Sequence, residues 1–232
     1  MKQARVRPRF FSVGEVSRKL EKEYGEKRPP RKRPGVTGEL VRTILSQNTN
    51  DTNSGRAYSS LRKNFPGWAD VEAAPASKVA KSIKVGGLAN QKARRIKEIL
   101  RLVHQENGGY SLQALCKQPT EEARQYLLEL KGVGEKTAAC VLLFSLGMPA
   151  LPVDTHIYRV CKRLGFISPR VSPARAHQIL EELMPTEAIY QFHINVLAHG
   201  RRVCRAQRPR CSECILLEGC VYGKGAIRAT GS

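Results

Sequence analysis

The chain is short of acid. It carries 20 Asp and Glu against 40 Lys and Arg, a formal net charge of +20 over 232 residues. So strong a bias points to a polyanionic partner, nucleic acid before an anionic membrane surface. A membrane segment is also missing. The most apolar stretch, Thr137 to Val153, is broken by Gly147, Pro149 and Pro152, and it falls short of the ~20 continuous apolar residues a spanning helix needs. No apolar run of secretory type follows the basic Met1–Arg9, so the expected setting is intracellular, cytoplasm or nucleoid. In a reducing compartment seven cysteines, an odd number, are not expected to form a disulfide framework. Clustered cysteines are therefore read first as metal ligands. There is no fixed-period repeat and no long low-complexity tract, and strand-like alternation is almost absent. What is present is a core. Hydrophobic residues make up 41% of the chain, and at this length folding buries roughly 70–75% of the unfolded surface.

Helical periodicity accounts for most of the sequence, and the expected class is all-α. Thr37 is placed to cap a helix through Ser46, with Leu40, Val41, Ile44 and Leu45 on one face. Asp51 is placed to cap the next, which Pro66-Gly67 stops. An amphipathic helix carries Ile96, Ile99, Leu100 and Val103 and ends at Asn107-Gly108-Gly109. Thr120-Glu121-Glu122 opens another. Ala138 to Leu146, apolar nearly all round, predicts a helix buried in the middle of the fold. Further helices fit Thr155–Leu164, Pro173–Leu183 and Thr186–Arg202. From Gly25 to Gly35 five Arg and Lys alternate with three prolines, which predicts an extended, solvated segment. It reads either as a loop that stays off the core or as an arm that contacts phosphates.

Three constellations carry chemistry. Leu130-Lys131-Gly132-Val133-Gly134-Glu135-Lys136-Thr137-Ala138 joins one helix to the next through Gly-x-Gly. Glycines permit positive φ and leave backbone N–H groups open to a phosphate oxygen, and the new helix start adds donors and a positive dipole end. This is the pattern of a helix-hairpin-helix, which grips the DNA backbone without reading sequence; an ordinary αα-turn is the plain alternative. Gly132, Val133, Gly134 and Thr137 are the contact candidates. The second constellation is Cys204-x6-Cys211-x2-Cys214-x5-Cys220. Four thiolates suit either a structural zinc or an iron–sulfur cluster, and irregular, compact spacing leans toward [4Fe–4S]. Cys116, Cys140 and Cys161 stand singly in apolar settings and read as core. The third is Lys136 with Asp154. Lys136 lies in the first turn of a helix, where the dipole opposes an ammonium and favours the nucleophilic amine; a phosphate contact is the alternative. Asp154 precedes Thr155-His156 as a helix N-cap or as a functional carboxylate.

Taken in order, these features resemble endonuclease III, the helix-hairpin-helix DNA glycosylase/AP lyase family. The likeness runs from about Thr37 to Cys220 and includes Val153-Asp154-Thr155-His156 and His199-Gly200-Arg201. It implies two helical domains flanking a DNA-binding groove: residues 38–148 as a helical bundle with the hairpin, and residues 149–232 with the cluster loop. The basic extension and first helix, residues 1–37, would pack with the C-terminal domain. It implies Lys136 as the Schiff-base lysine, Asp154 as the catalytic aspartate, and Cys204, Cys211, Cys214 and Cys220 as ligands of a [4Fe–4S] cluster that positions Arg205, Arg208 and Arg210 against phosphates. Leu88, in Gly86-Gly87-Leu88-Ala89-Asn90, matches the apolar wedge that fills the stack when a nucleotide leaves it, with a core leucine as the alternative. Gln47-Asn48 matches the polar insertion from the other side, with a capping segment as the alternative; here the segment departs from the commonest form of the family. The implied activity is removal of oxidised pyrimidines and β-elimination at abasic sites by a monomer acting on double-stranded DNA. A mismatch glycosylase is the nearest alternative, although those branches carry Ser or Tyr where Lys136 stands. A non-catalytic DNA-binding module is the alternative of a different class.

Overall fold

Twelve α-helices and no strand occur among residues 10–230, the residues that the structure, a computed structural model, describes. The all-α class follows from the missing alternation as expected. The first nine residues of the basic extension lie outside the described residues. The chain forms two compact units, one of residues 30–148 and one that combines residues up to 29 with those from 149 on. It enters the discontinuous unit as α1 (Val13–Tyr24) and crosses the contiguous unit as α2 (Val36–Ser46), α3 (Asp51–Asn64), α4 (Trp68–Ala73), α5 (Ala76–Ser82), α6 (Ala89–Asn107), α7 (Thr120–Glu129) and α8 (Glu135–Val141). It returns as α9 (Thr155–Leu164), α10 (Pro173–Glu182), α11 (Ile189–Arg202) and α12 (Val221–Thr230).

In the contiguous unit α2 is the central element. Leu40, Val41, Ile44 and Leu45 are all buried, and the helix packs against α3, α6 and α8. Each such side chain contributes about 1.5–3 kcal/mol on leaving water. Thr37 does not cap it. Gly35 holds the N-cap position, and Thr37 is buried one residue inside the helix, its hydroxyl donating to the Tyr110 carbonyl at 2.5 Å. A hydroxyl drawn into a tertiary bond is lost to the helix end. In α3 the cap is Asn50 rather than Asp51, the Asn50 side-chain Oδ1 accepting from the Asn53 N–H at 2.8 Å.

Ala138 to Leu146 is buried along most of its length but is not one α-helix. α8 gives way at Leu142–Leu146 to a π turn that ends at Gly147, φ 72°. Arg33 accounts for the ending. Its guanidinium donates to the Leu143 carbonyl at 2.8 Å and lies 2.8 Å from where a Cβ on Gly147 would project. The proline-rich basic segment forms no helix between Gly25 and Gly35 and is pinned to the unit at Arg33.

In the discontinuous unit α1 starts with a reciprocal capping box. The Ser12 hydroxyl accepts from the Glu15 N–H at 3.2 Å, and the Glu15 carboxylate accepts from the Ser12 N–H at 2.9 Å. Val16 and Leu20 are fully buried on the side that meets α11. α11 also packs on α9; at Gly200 an added Cβ would lie 3.0 Å from the His156 Cβ. The expected Thr186–Arg202 helix is a 3-10 turn, Thr186–Ala188, followed by α11. Cys140 and Cys161 are core residues, but Cys116 is exposed.

Candidate functional site

The hairpin is built from the end of α7. Leu130 and Val133 are buried, which anchors the turn, and the Val133 N–H donates back to the Leu130 carbonyl at 2.9 Å. Gly132 stands at φ 80°, and an added Cβ there would lie 2.0 Å from the Arg95 Nε. Glycine is thus required twice over: the backbone is left-handed, and the Arg95 side chain crosses the space a side chain would fill. Gly134 differs. Its φ is −107°, and a Cβ there would meet nothing within 4 Å. No neighbour among the described residues demands glycine at that position. The Thr137 and Ala138 N–H groups return to the Gly134 carbonyl, whereas those of Gly134, Glu135 and Lys136 find no acceptor among the described residues. They are orphan donors at a helix start, beside the positive end of its dipole.

Gln47 joins this hairpin. Its amide nitrogen donates to the Gly132 carbonyl at 3.3 Å and to the Thr137 hydroxyl at 3.2 Å, while Arg95 donates to its carbonyl oxygen at 2.7 Å. The amide is fully engaged. Asn48, the next residue, is exposed and left-handed at φ 53°. Leu88 is likewise left-handed, φ 48°, and 52% exposed at the N-cap of α6, so it is not a core leucine. Lys136 is half-buried and makes no hydrogen bond or ion pair among the described residues. Glu39, on α2, is 12% exposed. Burial holds its carboxyl above the ordinary range, with Arg42, the Thr43 hydroxyl and Lys136 acting in the opposite sense.

Asp154 belongs to the discontinuous unit. Its Oδ1 accepts from the N–H groups of His156 and Ile157, each at 2.8 Å, and caps α9. Oδ2 makes no bond among the described residues. In the same unit Cys204, Cys211, Cys214 and Cys220 line one pocket, with walls that include Val160, Leu164, Leu216 and Leu217. Donors converge on the sulfurs: Arg163 reaches the Cys204 Sγ at 3.3 Å and the Gly223 N–H the Cys220 Sγ at 3.3 Å. Burial pushes the Cys214 thiol up to about 11, and the neighbouring sulfurs add to the shift. Four thiolates in that setting need a positive centre among them, and the donor set fits one. No three His, Cys, Asp or Glu side chains among the described residues close on a point as a single ion requires. Arg205, Arg208 and Arg210 are exposed on the same loop, Arg208 at φ 47°. The loop is held from α9: Arg163 donates to the Arg205 and Ala206 carbonyls, and Arg159 to those of Cys204 and Gly200.

Arg95, Lys92, Glu39, Arg159 and Arg163 escape a motif search. For Lys92 a signal existed. It lies in register with Ala93, Ile96, Ile99, Leu100 and Val103 on the buried stripe of α6, where a charged residue calls for an explanation.

The profile of the HhH-GPD superfamily base excision DNA repair proteins matches residues 41–186. The chain is 34% identical over 193 residues to an endonuclease III of Thermotoga maritima, a match covering 82% of this chain and 86% of the relative. It is 38% identical over 162 residues to an Arabidopsis thaliana protein provisionally named a DNA glycosylase, covering 70% of this chain and 55% of that relative, so the chain spans about half its length. Among solved structures, a non-covalent endonuclease III–DNA complex superposes with a TM-score of 0.80 at 27% identity, over 94% of this chain and 100% of that one.

Proposed function

The chain belongs to the HhH-GPD superfamily of base excision DNA repair proteins, and from that membership we propose that it is a bifunctional DNA glycosylase and AP lyase acting on oxidised pyrimidines in double-stranded DNA. The observation that carries this reading is Lys136, a half-buried amine with no ion-pair partner among the described residues, standing where a Gly-x-Gly hairpin opens a helix whose first N–H groups find no acceptor among those residues. Those donors suit a phosphate oxygen. The damaged nucleotide is extruded at a cost of a few kcal/mol, least for a poorly stacked lesion. The Lys136 Nζ then attacks the sugar C1′, the bond from C1′ to the base breaks, and the base leaves with the electron pair and a proton. The C1′–O4′ bond then opens, the ring oxygen taking the electron pair and the second amine proton, which leaves an imine. That imine acidifies the C2′ proton, whose removal expels the 3′ phosphate by β-elimination. Asp154, with one oxygen committed to its cap, keeps the other for proton transfer and for stabilising positive charge on the sugar.

Leu88 fills the vacated stack as an apolar wedge, and Asn48, rather than Gln47, enters from the other side. Asn48 is the exposed member of the pair, and the Gln47 amide is already spent on the hairpin. Cys204, Cys211, Cys214 and Cys220 hold a [4Fe–4S] cluster, whose contribution is to brace the loop that offers Arg205, Arg208 and Arg210 to phosphates.

Borohydride trapping tests the assignment on duplexes carrying thymine glycol, uracil, mismatched adenine or a plain abasic site. The protein is expected to form a covalent complex with the thymine glycol and abasic duplexes, and Lys136→Gln to lose it while keeping most of its DNA affinity. Trapping that survives in Lys136→Gln removes the nucleophile. Failure of the unaltered protein to cut abasic DNA leaves a binding module.

A further inference from the structure

Two residues offered to the duplex, Asn48 and Leu88, stand in left-handed backbone, φ 53° and 48°, which asparagine tolerates but which strains a leucine. Strain of this kind persists only where the surroundings impose it. For both turns the same group lies beneath. The Lys92 side chain is 1% exposed, and its Nζ donates to the carbonyls of Leu45 and Gly86 at 2.8 Å each. Leu45 is in the last turn of α2, three residues before Asn48. Gly86 closes the 3-10 turn Lys84–Gly86, two residues before Leu88. Both acceptors are helix-end carbonyls, which lack intrahelical partners and favour a cation. The two turns are also pressed together: a Cβ on Gly86 would lie 3.0 Å from the Ala57 Cβ and 3.9 Å from the Leu45 carbonyl oxygen.

We propose that Lys92 is a positioning residue, a buried ammonium that ties the turn bearing Asn48 to the turn bearing Leu88, so that both side chains enter DNA as one preset pair around an extruded nucleotide. Lys92 itself is too deep to touch the duplex. Burial alone disfavours its charged form, so the two carbonyl bonds are what retain the ammonium there. Helix α6, which carries both Leu88 at its N-cap and Lys92 in its second turn, makes the link short. The inference rests on the proposed function, because only an enzyme that extrudes a nucleotide has use for such a pair.

The test requires binding without turnover. Duplexes with a tetrahydrofuran abasic analogue beside 2-aminopurine report both the affinity ratio over undamaged DNA and the unstacking on insertion. Lys92→Met is expected to bind undamaged duplex like the unaltered protein, to lose about tenfold of the preference for the analogue, and to lose most of the 2-aminopurine signal. Leu88→Ala is expected to show the same losses, and the double variant no more than the larger single loss. Full preference and signal in Lys92→Met, or losses that add in the double variant, overturn the proposal. If Lys92→Met does not fold, hydrogen exchange on the unaltered protein decides. Amides of residues 46–50 and 86–90 must gain protection together when the analogue binds, and protection of one segment alone refutes the tie. A lack of preference in the unaltered protein overturns the glycosylase reading itself, and this inference with it.

Discussion

Asp154 uses one oxygen for two backbone bonds and leaves the other unengaged, so its capping and catalytic roles are compatible and separable. Asn caps nearly as well as Asp, whereas Ala loses about 1 kcal/mol of helix stability. Asp154→Asn is therefore expected to unfold within ~0.5 kcal/mol of the unaltered protein, and Asp154→Ala about 1 kcal/mol earlier. Both should release base far more slowly. Urea denaturation beside single-turnover kinetics reads the two effects, and an active Asp154→Asn would reduce the residue to a cap. Glu39 offers a second separation, by pH. Its folded-state pKa is raised, chiefly by burial, so its carboxyl favours folding most when protonated, and that contribution is lost as pH rises through the raised value. Glu39→Gln is expected to melt higher than the unaltered protein at about pH 8 and to show no gain at about pH 3. Asp154 was legible because a cap is written into adjacent residues. Glu39 was not, because its setting depends on what packs over α2.

At the scale of the element, the hairpin separates glycine required by the fold from glycine required by a ligand. Gly132→Ala places a side chain on left-handed backbone and against Arg95, and is expected to cost at least ~1 kcal/mol of stability. Gly134→Ala meets open space at ordinary φ. It should stay within ~0.5 kcal/mol of the unaltered protein, yet bind undamaged duplex more weakly, since the added methyl stands where a phosphate is proposed to approach. Denaturation and binding at one fixed salt concentration distinguish the two. Equal stability losses at both positions would mean Gly134 is structural after all. The spacing Gly-x-Gly between leucines announced the turn, but the two glycines look alike in sequence, and only the folded backbone and the Arg95 side chain at 132 tell them apart. The π turn at Leu142–Leu146 was not legible either, and its Leu143 carbonyl takes a hydrogen bond from Arg33, more than a hundred positions away.

For the whole molecule the governing quantity is the charge of +20. The basic extension is not one dispensable tail, because α1 buries Val16 and Leu20 in the discontinuous unit. Residues 1–9 carry Lys2, Arg5, Arg7 and Arg9, and their deletion tests what these four cations contribute to DNA binding. If all four neutralise phosphates, removing them lowers the slope of log affinity against log salt by roughly 3–4. An unchanged slope means these residues stay clear of the duplex.

Sequence alone determined the all-α class, the hairpin, the cap at Asp154 and the four-cysteine loop, because each is encoded in periodicity or in the spacing of near neighbours. Tertiary structure decided which side chains are spent and which are offered. The bonds from Lys92 to Leu45, Arg95 to Gln47 and Gln47 to Gly132 join residues 47, 48 and 85 positions apart. No local pattern records such pairings, since they exist only once helices distant along the chain have been packed together.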